Sequence, residues 1–167
     1  MTDMTVEKAL QEAMAVERNG FDFYTAAAER VEDPAARAAF TALAEDERQH
    51  FEALQARYRR LLEGEAIAWG EKVPRSSQVI ETIFSPSFRE RLAGRHFEMS
   101  ALGIGVLLER ESIAFYKRQA ETAATPEERA FFEDLVTWEN EHYRALLAAQ
   151  QELRADDWNA NRFAPLL

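Results

Sequence analysis

The sequence FTALAEDERQHFEAL at residues 40–54 is followed, 92 residues later, by FEDLVTWENEHYRAL at residues 132–146. In both stretches Phe, Leu, Glu, His and Leu follow one another at spacings of 3, 4, 3 and 4, which place them on one face of a helix. Such a face normally points into the core of a helical bundle. Its central positions are ionisable here: Glu47 and His50 in the first stretch, Glu139 and His142 in the second.

The same offset relates longer segments of the chain. Residues 16–58 and 108–150 share 16 identities in 43 aligned positions, which indicates a duplicated unit. The sequence of each unit predicts two helices separated by a turn, because Pro34 and Pro126 stand where a second helix would begin. We predict helices near residues 5–31, 34–63, 95–123 and 126–154.

These helices predict one all-α domain over residues 1–167, a four-helix bundle of two duplicated hairpins, 5–63 and 95–154. Residues 64–94 contain glycines and prolines and have no partner in the repeat, so they read as a long crossover, with a short helix near Ser77–Phe84. A crossover of this length suggests a bundle in which both hairpins point the same way. We expect residues 155–167 to pack outside the bundle or on a partner.

Composition excludes several classes of protein. The 167 residues contain no cysteine, which excludes a disulfide scaffold, a zinc ribbon and an iron–sulfur site. The net charge of −10 disfavours a nucleic-acid partner. Neither a signal peptide nor a membrane-spanning segment is visible, so we expect a cytoplasmic protein.

Every predicted helix carries a glutamate on its apolar face. Glu17 lies on the face of the first helix and Glu109 on that of the third, alongside Glu47 and Glu139. Buried ionised carboxylates cost several kcal/mol each unless a positive charge compensates them, and no lysine or arginine lies on these faces. Two divalent cations would balance four carboxylates, and the histidines at i+3 would complete their coordination.

Four runs of sequence carry a resemblance to a known family. ERNGFDFY and ERESIAFY, which begin at Glu17 and Glu109, and EDERQHFEAL and WENEHYRAL, which contain Glu47 and Glu139, resemble the four helices of the erythrin domain of rubrerythrins. The resemblance covers about residues 5–154 and implies a ferritin-like fold with two iron ions. It also implies bridging roles for Glu47 and Glu139, terminal roles for Glu17 and Glu109, and one metal for each histidine.

The chain departs from that family in two places. Rubrerythrins usually have a further glutamate three residues after the terminal glutamate of the third helix, and Ser112 stands at that position here. A rubredoxin domain, which needs paired cysteines, is also missing. We therefore expect an external electron donor.

Other residues allow two interpretations each. Asp46 could hydrogen-bond to His142 and fix its tautomer, or form a surface salt bridge. Tyr24 and Tyr116 could donate to a bridging carboxylate or carry an oxidising equivalent, or be core aromatics only. We expect His96, Glu111 and Glu141 to lie in solvent, away from the site.

An oxygen-rich site suits iron or manganese, with zinc possible. The sequence therefore predicts a non-haem di-iron oxidoreductase that oxidises Fe²⁺ or reduces peroxide, with O₂ or H₂O₂ and Fe²⁺ as its small-molecule partners. The alternative is a non-catalytic domain that binds, delivers or senses iron. A hydroxylase is a third option and would need an apolar cavity beside the site. We also expect a homodimer, as is common for erythrin-like domains.

Overall fold

The computed structural model describes residues 2–73 and 96–160, which form an all-α four-helix bundle. No strand occurs in these two ranges. The three helix starts at Pro34, His96 and Pro126 lie within one residue of their predicted positions. The helices are α1 (Thr2–Arg30), α2 (Pro34–Leu62), α3 (His96–Thr122) and α4 (Pro126–Ala160).

Helix α4 is longer than predicted. It continues to Ala160, whereas the sequence predicts an end near residue 154. Residues 155–160 contain neither glycine nor proline, so nothing in them interrupts the backbone hydrogen-bond pattern. The expected short helix at Ser77–Phe84 and the packing of residues 161–167 lie outside the described residues.

Local signals account for the ends of the second helix of each hairpin. The carboxylate of Asp33 accepts hydrogen bonds from the backbone N–H groups of Ala35 and Ala36 at 2.9 and 3.0 Å, which caps the start of α2. The hydroxyl of Thr125 accepts in the same way from the backbone N–H of Glu128 at 3.1 Å. Gly64, with φ of 70°, follows the end of α2 in the left-handed conformation that favours glycine.

Contacts across the bundle fix the directions of the helices. Tyr24 on α1 contacts Glu109 on α3, and Tyr116 on α3 contacts Glu17 on α1, so α1 and α3 are antiparallel. The same holds for α2 and α4, because His142 lies beside Asp46 and Trp138 lies beside His50. The two hairpins therefore point in opposite directions, and the expectation that they point the same way is wrong.

The physical reason lies in the crossover. Helices α2 and α3 run in the same direction, so the end of one and the start of the next lie at opposite ends of the bundle. A long connection is needed only in this arrangement, since two hairpins pointing the same way place those ends side by side.

The apolar core consists of two clusters, one at each end of the bundle, with the ionisable residues between them. The upper cluster is centred on Tyr24, Phe40 and Leu102, and the lower one on Tyr116 and Phe132. Tyr24 stacks on Phe40 at a centroid distance of 6.3 Å, and Tyr116 on Phe132 at 6.2 Å. Residues 92 apart thus make equivalent contacts on the two sides of the ionisable layer.

Residues that follow α2 are fastened to the lower end of the bundle. Trp69 packs against Phe131 at 5.5 Å between ring centroids, and Val73 is buried in the lower cluster. The guanidinium of Arg57 lies 4.0 Å from the Phe131 ring centroid and donates hydrogen bonds to the backbone carbonyls of Trp69 and Glu71 at 3.1 and 2.6 Å. The first part of the crossover therefore closes this end of the core.

The opposed hairpins predict label distances. The chain has no native cysteine, so spin labels at Arg30→Cys and Ala124→Cys, both at exposed positions, will report only on these sites. We expect a separation of about 30 Å or more, because each helical residue adds about 1.5 Å along the axis. The control pair, Arg30→Cys with the exposed Ser100→Cys, should give less than about 20 Å, since neighbouring helix axes lie about 10 Å apart. The reverse order of the two distances in double electron–electron resonance would contradict this topology.

Candidate metal centre

The six predicted ligands meet in one layer at the middle of the bundle. Each helix contributes one glutamate, and α2 and α4 each add a histidine one turn after it, as the i, i+3 spacing requires. Each of the six residues is at most 4% exposed to solvent. These residues are Glu17, Glu47, His50, Glu109, Glu139 and His142.

Their ligand atoms form two overlapping groups. One group contains Glu17 and His50, the other contains Glu109 and His142, and Glu47 and Glu139 belong to both. Within each group one ligand atom per residue lies within 4.8 Å of all the others. Two adjacent cations could therefore share the two carboxylates that stand between them.

The ring of His50 directs one nitrogen at this layer. Its Nδ1 lies 3.2 Å from Oε2 of Glu17, 3.2 Å from Oε1 of Glu139 and 3.4 Å from Oε2 of Glu47. Burial opposes a positive charge on the ring, but these carboxylates, Glu17 first, outweigh it and raise the pKa of His50 well above its usual value. A single nitrogen surrounded by three carboxylates is the arrangement that a cation would occupy with it.

The second histidine occupies a similar environment. Glu109, which lies near this histidine, has a pKa well above its usual value. Burial is the main cause, and the carboxylates of Glu139 and Glu47 add to it. Burial also opposes the charged form of His142, but its contacts with Asp46 and Glu47 prevail and raise its pKa to about 10. Without cations, this layer keeps protons that binding of cations would displace.

Positive side chains do not neutralise the layer. Among the described buried residues the only arginine or lysine is Arg57, and its guanidinium is bonded to backbone carbonyls at the lower end of the bundle. Three buried atoms of the layer, Oε2 of Glu109, Oε1 of Glu139 and Nδ1 of His142, have no hydrogen-bond partner within the described ranges. Four carboxylates, two imidazoles and unpartnered acceptor atoms fit a pair of divalent cations.

Two tyrosines hydrogen-bond to Glu109 and Glu17, the glutamates predicted to be terminal ligands, and not to Glu47 or Glu139, the glutamates predicted to bridge. The hydroxyl of Tyr24 donates to Oε1 of Glu109, and that of Tyr116 donates to Oε1 of Glu17. Burial, followed by the nearest carboxylate, raises the pKa of both tyrosines well above the usual value, so the hydroxyls remain protonated donors. Each bond joins α1 to α3 and holds one carboxylate oxygen, which leaves the other free to face the layer.

Comparison with known proteins agrees with this geometry. The sequence model of the rubrerythrin family matches residues 8–150. The chain belongs to the rubrerythrin family. No curated protein and no solved structure matches it in the same comparisons. The ferritin-like bundle expected from the sequence is therefore the fold of this rubrerythrin-family chain.

The helices of the described ranges give no sign of a bilayer segment. None of them combines the length and the apolar composition needed to cross a membrane.

The two histidines of this rubrerythrin-family site have different outer neighbours. Nε2 of His142 lies 3.0 Å from Oδ2 of Asp46, which is itself buried. At the position equivalent to Asp46 in the other hairpin, Trp138 stacks on the ring of His50 at 4.9 Å between centroids and 11° between planes. One imidazole is therefore backed by a carboxylate and the other is held by an aromatic face.

The sequence predicts only one part of this difference between the two histidines. The repeat offset pairs Asp46 with Trp138 and so predicts that any carboxylate behind a histidine is one-sided. The stack of Trp138 on His50 was not predicted, because a residue next to a ligand along the helix lies about 100° around it, and only the packing of α4 against α2 brings the two rings together.

Residues expected to lie outside the site do so to different degrees. His96 begins α3 and is exposed, and Glu111 is exposed. Glu141 is half-buried rather than fully solvated. Ser112 lies beside the layer, and its hydroxyl donates to the backbone carbonyl of Leu108 at 3.1 Å.

The buried Asp46 predicts unequal affinities for the two cations. A carboxylate behind a ligating histidine fixes its tautomer and makes it a better ligand, and losing such a group typically weakens metal binding about 10- to 100-fold. In a Co²⁺ titration followed by visible absorption, Asp46→Ala should weaken one of the two binding steps by that factor and leave the other within about threefold. Asp22→Ala, at an exposed position of α1, serves as the control. Equal weakening of both steps, or of neither, would contradict the prediction.

Proposed function

We propose that this chain is a non-haem di-iron oxidoreductase that oxidises Fe²⁺ or reduces peroxide. The observation that carries the proposal is the buried layer in which two overlapping groups of ligand atoms share Glu47 and Glu139. Membership of the rubrerythrin family supports iron as the metal, and the four carboxylates suit a hard ion such as Fe²⁺ or Mn²⁺.

Roles follow from which group each residue belongs to. Glu17 and His50 would hold one ion, Glu109 and His142 the other, and the two shared glutamates would bridge them. The charges of four carboxylates and two divalent ions then cancel, which removes the cost of burying like charges together. Two ferrous ions held in this way would supply the two electrons needed to reduce peroxide to water.

The protein's own side chains keep the layer in order during such a reaction. Tyr24 and Tyr116 hold the carboxylates of Glu109 and Glu17 by hydrogen bonds between α1 and α3. Asp46 keeps the proton of His142 on Nε2, so that Nδ1 faces the layer with its lone pair. The apolar clusters above and below exclude bulk water and strengthen these interactions.

Electrons for repeated turnover would come from another molecule. The 167 residues contain no cysteine, so a cysteine-ligated iron centre that could pass electrons to the layer lies outside them. We propose an external donor protein, and a homodimer as the working form of the chain.

Metal content tests the ligand assignment. Protein purified from cells grown with added iron should contain about two iron ions per chain, as the paired ligand groups require. Glu47→Ala should lower this content most strongly, because Glu47 belongs to both groups. Glu52→Ala, about one and a half turns further along α2 at an exposed position, is the matched control. Unchanged iron in Glu47→Ala, measured by plasma mass spectrometry, would contradict the assignment.

Reaction with oxidants tests the activity. We expect anaerobic Fe²⁺-loaded protein to lose its chelator-reactive Fe²⁺ on addition of H₂O₂ or O₂ faster than free Fe²⁺ does in the same buffer. With a chemical reductant present, the cycle should repeat many times per chain. Tight iron binding with no more than one slow round of oxidation would instead favour the alternative, a non-catalytic domain that binds, delivers or senses iron.

A further inference from the structure

A pocket of about 260 Å³ opens between α1 and α3 and reaches the ionisable layer. Its lining includes the buried residues Glu47, Glu109 and Tyr24, so it connects the site with the flank of the bundle. Glu109 contributes a buried oxygen, Oε2, that has no hydrogen-bond partner among the described residues. The other residues of its lining are Val16, Asn19, Gly20, Leu108, Glu111, Ser112, Phe115 and Arg118.

Two small residues keep this pocket open. Gly20 and Ser112 are 92 residues apart and stand at equivalent positions, each three residues after a terminal glutamate. A Cβ atom at Gly20 would lie only 3.2 Å from Cγ of Glu47, so any side chain there would press on a shared carboxylate. The hydroxyl of Ser112 is bonded to its own helix and does not cross the opening.

The pocket is larger than a diatomic oxidant requires, and part of its lining is apolar. An apolar cavity of about 150 Å³ already holds a benzene molecule, and this pocket is larger. Val16, Leu108 and Phe115 give it apolar sides, whereas the carboxylates in its lining disfavour an anionic ligand. The chemistry therefore fits a neutral molecule that has a polar end and a compact apolar group.

We propose that this pocket binds the organic group of a neutral alkyl or aryl hydroperoxide, with the O–O bond directed at Glu47 and Glu109. This inference rests on the proposed peroxide-reducing function and names its substrate class. In the reaction the O–O bond of ROOH breaks, two protons are taken up, and ROH and water form. The two electrons would be supplied by a pair of ferrous ions held by the six ligand residues, each ion losing one electron.

Binding is tested without any redox step. Cumyl alcohol, the product expected from cumene hydroperoxide, is titrated into zinc-loaded protein and followed by ligand-observed and amide NMR. We expect saturable binding that shifts the amide resonances of Gly20 and Ser112. Ser112→Phe, which fills the pocket, should weaken this binding at least about tenfold. Ser100→Phe, on an exposed part of the same helix, should bind like the unmodified chain.

Selectivity is tested with the iron-loaded protein. We expect Ser112→Phe to lower the rate of Fe²⁺ oxidation by cumene hydroperoxide, relative to the rate with H₂O₂, at least about tenfold. Ser100→Phe should keep the original ratio. If Ser112→Phe has lost its helical circular dichroism, Val16→Phe blocks the pocket from α1 and is subject to the same two measurements.

The outcomes separate this inference from the proposed function. Rapid reaction with H₂O₂ but no binding of cumyl alcohol, or an unchanged rate ratio in the blocked variants, overturns the organic-hydroperoxide pocket alone. Absence of reaction with both peroxides overturns the peroxide-reducing function on which this inference rests, whereas binding of cumyl alcohol in the same protein would still show that the pocket takes a compact organic group.

Discussion

The burial of four carboxylates in one layer is the constraint on which the rest of this structure depends. Each would favour water strongly over the interior of a protein, and like charges held this close together also repel one another. The fold therefore surrounds the layer with compensating groups: histidines from α2 and α4, tyrosine hydroxyls from α1 and α3, and space for cations. Apolar clusters above and below then stabilise a bundle whose centre, on its own, favours unfolding.

Much of this arrangement could be predicted from the sequence, because helical periodicity shows directly which side chains share one face of a helix. The spacing of Phe40, Leu43, Glu47 and His50 assigns these residues to one face without any knowledge of the neighbouring helices. Pro34 sets a helix start by local chemistry alone. The relative direction of the two hairpins depends instead on whether α2 and α3 run parallel or antiparallel. No local sequence pattern determines that.

The pocket and the stacking of Trp138 on His50 lay beyond sequence reasoning for the same reason. Both arise between helices, from the relative height and rotation of elements far apart in the chain. Gly20 and Ser112 could have been noticed as small residues beside ligands, but small residues in a helix more often serve close packing. Only the separation of α1 and α3 at this height shows that they border an opening instead.

The packing around Arg57 affects the routes by which molecules can reach the ionisable layer. With Trp69 and Val73 over the lower cluster, and Val31 and Leu102 in the upper one, both axial routes are filled by tightly packed apolar side chains. Exchange of water and solutes with the interior must then be transverse, through the flank of the bundle. A helical bundle that is packed at both ends and open at one flank can exchange small molecules with solvent through that flank, without any separation of its ends.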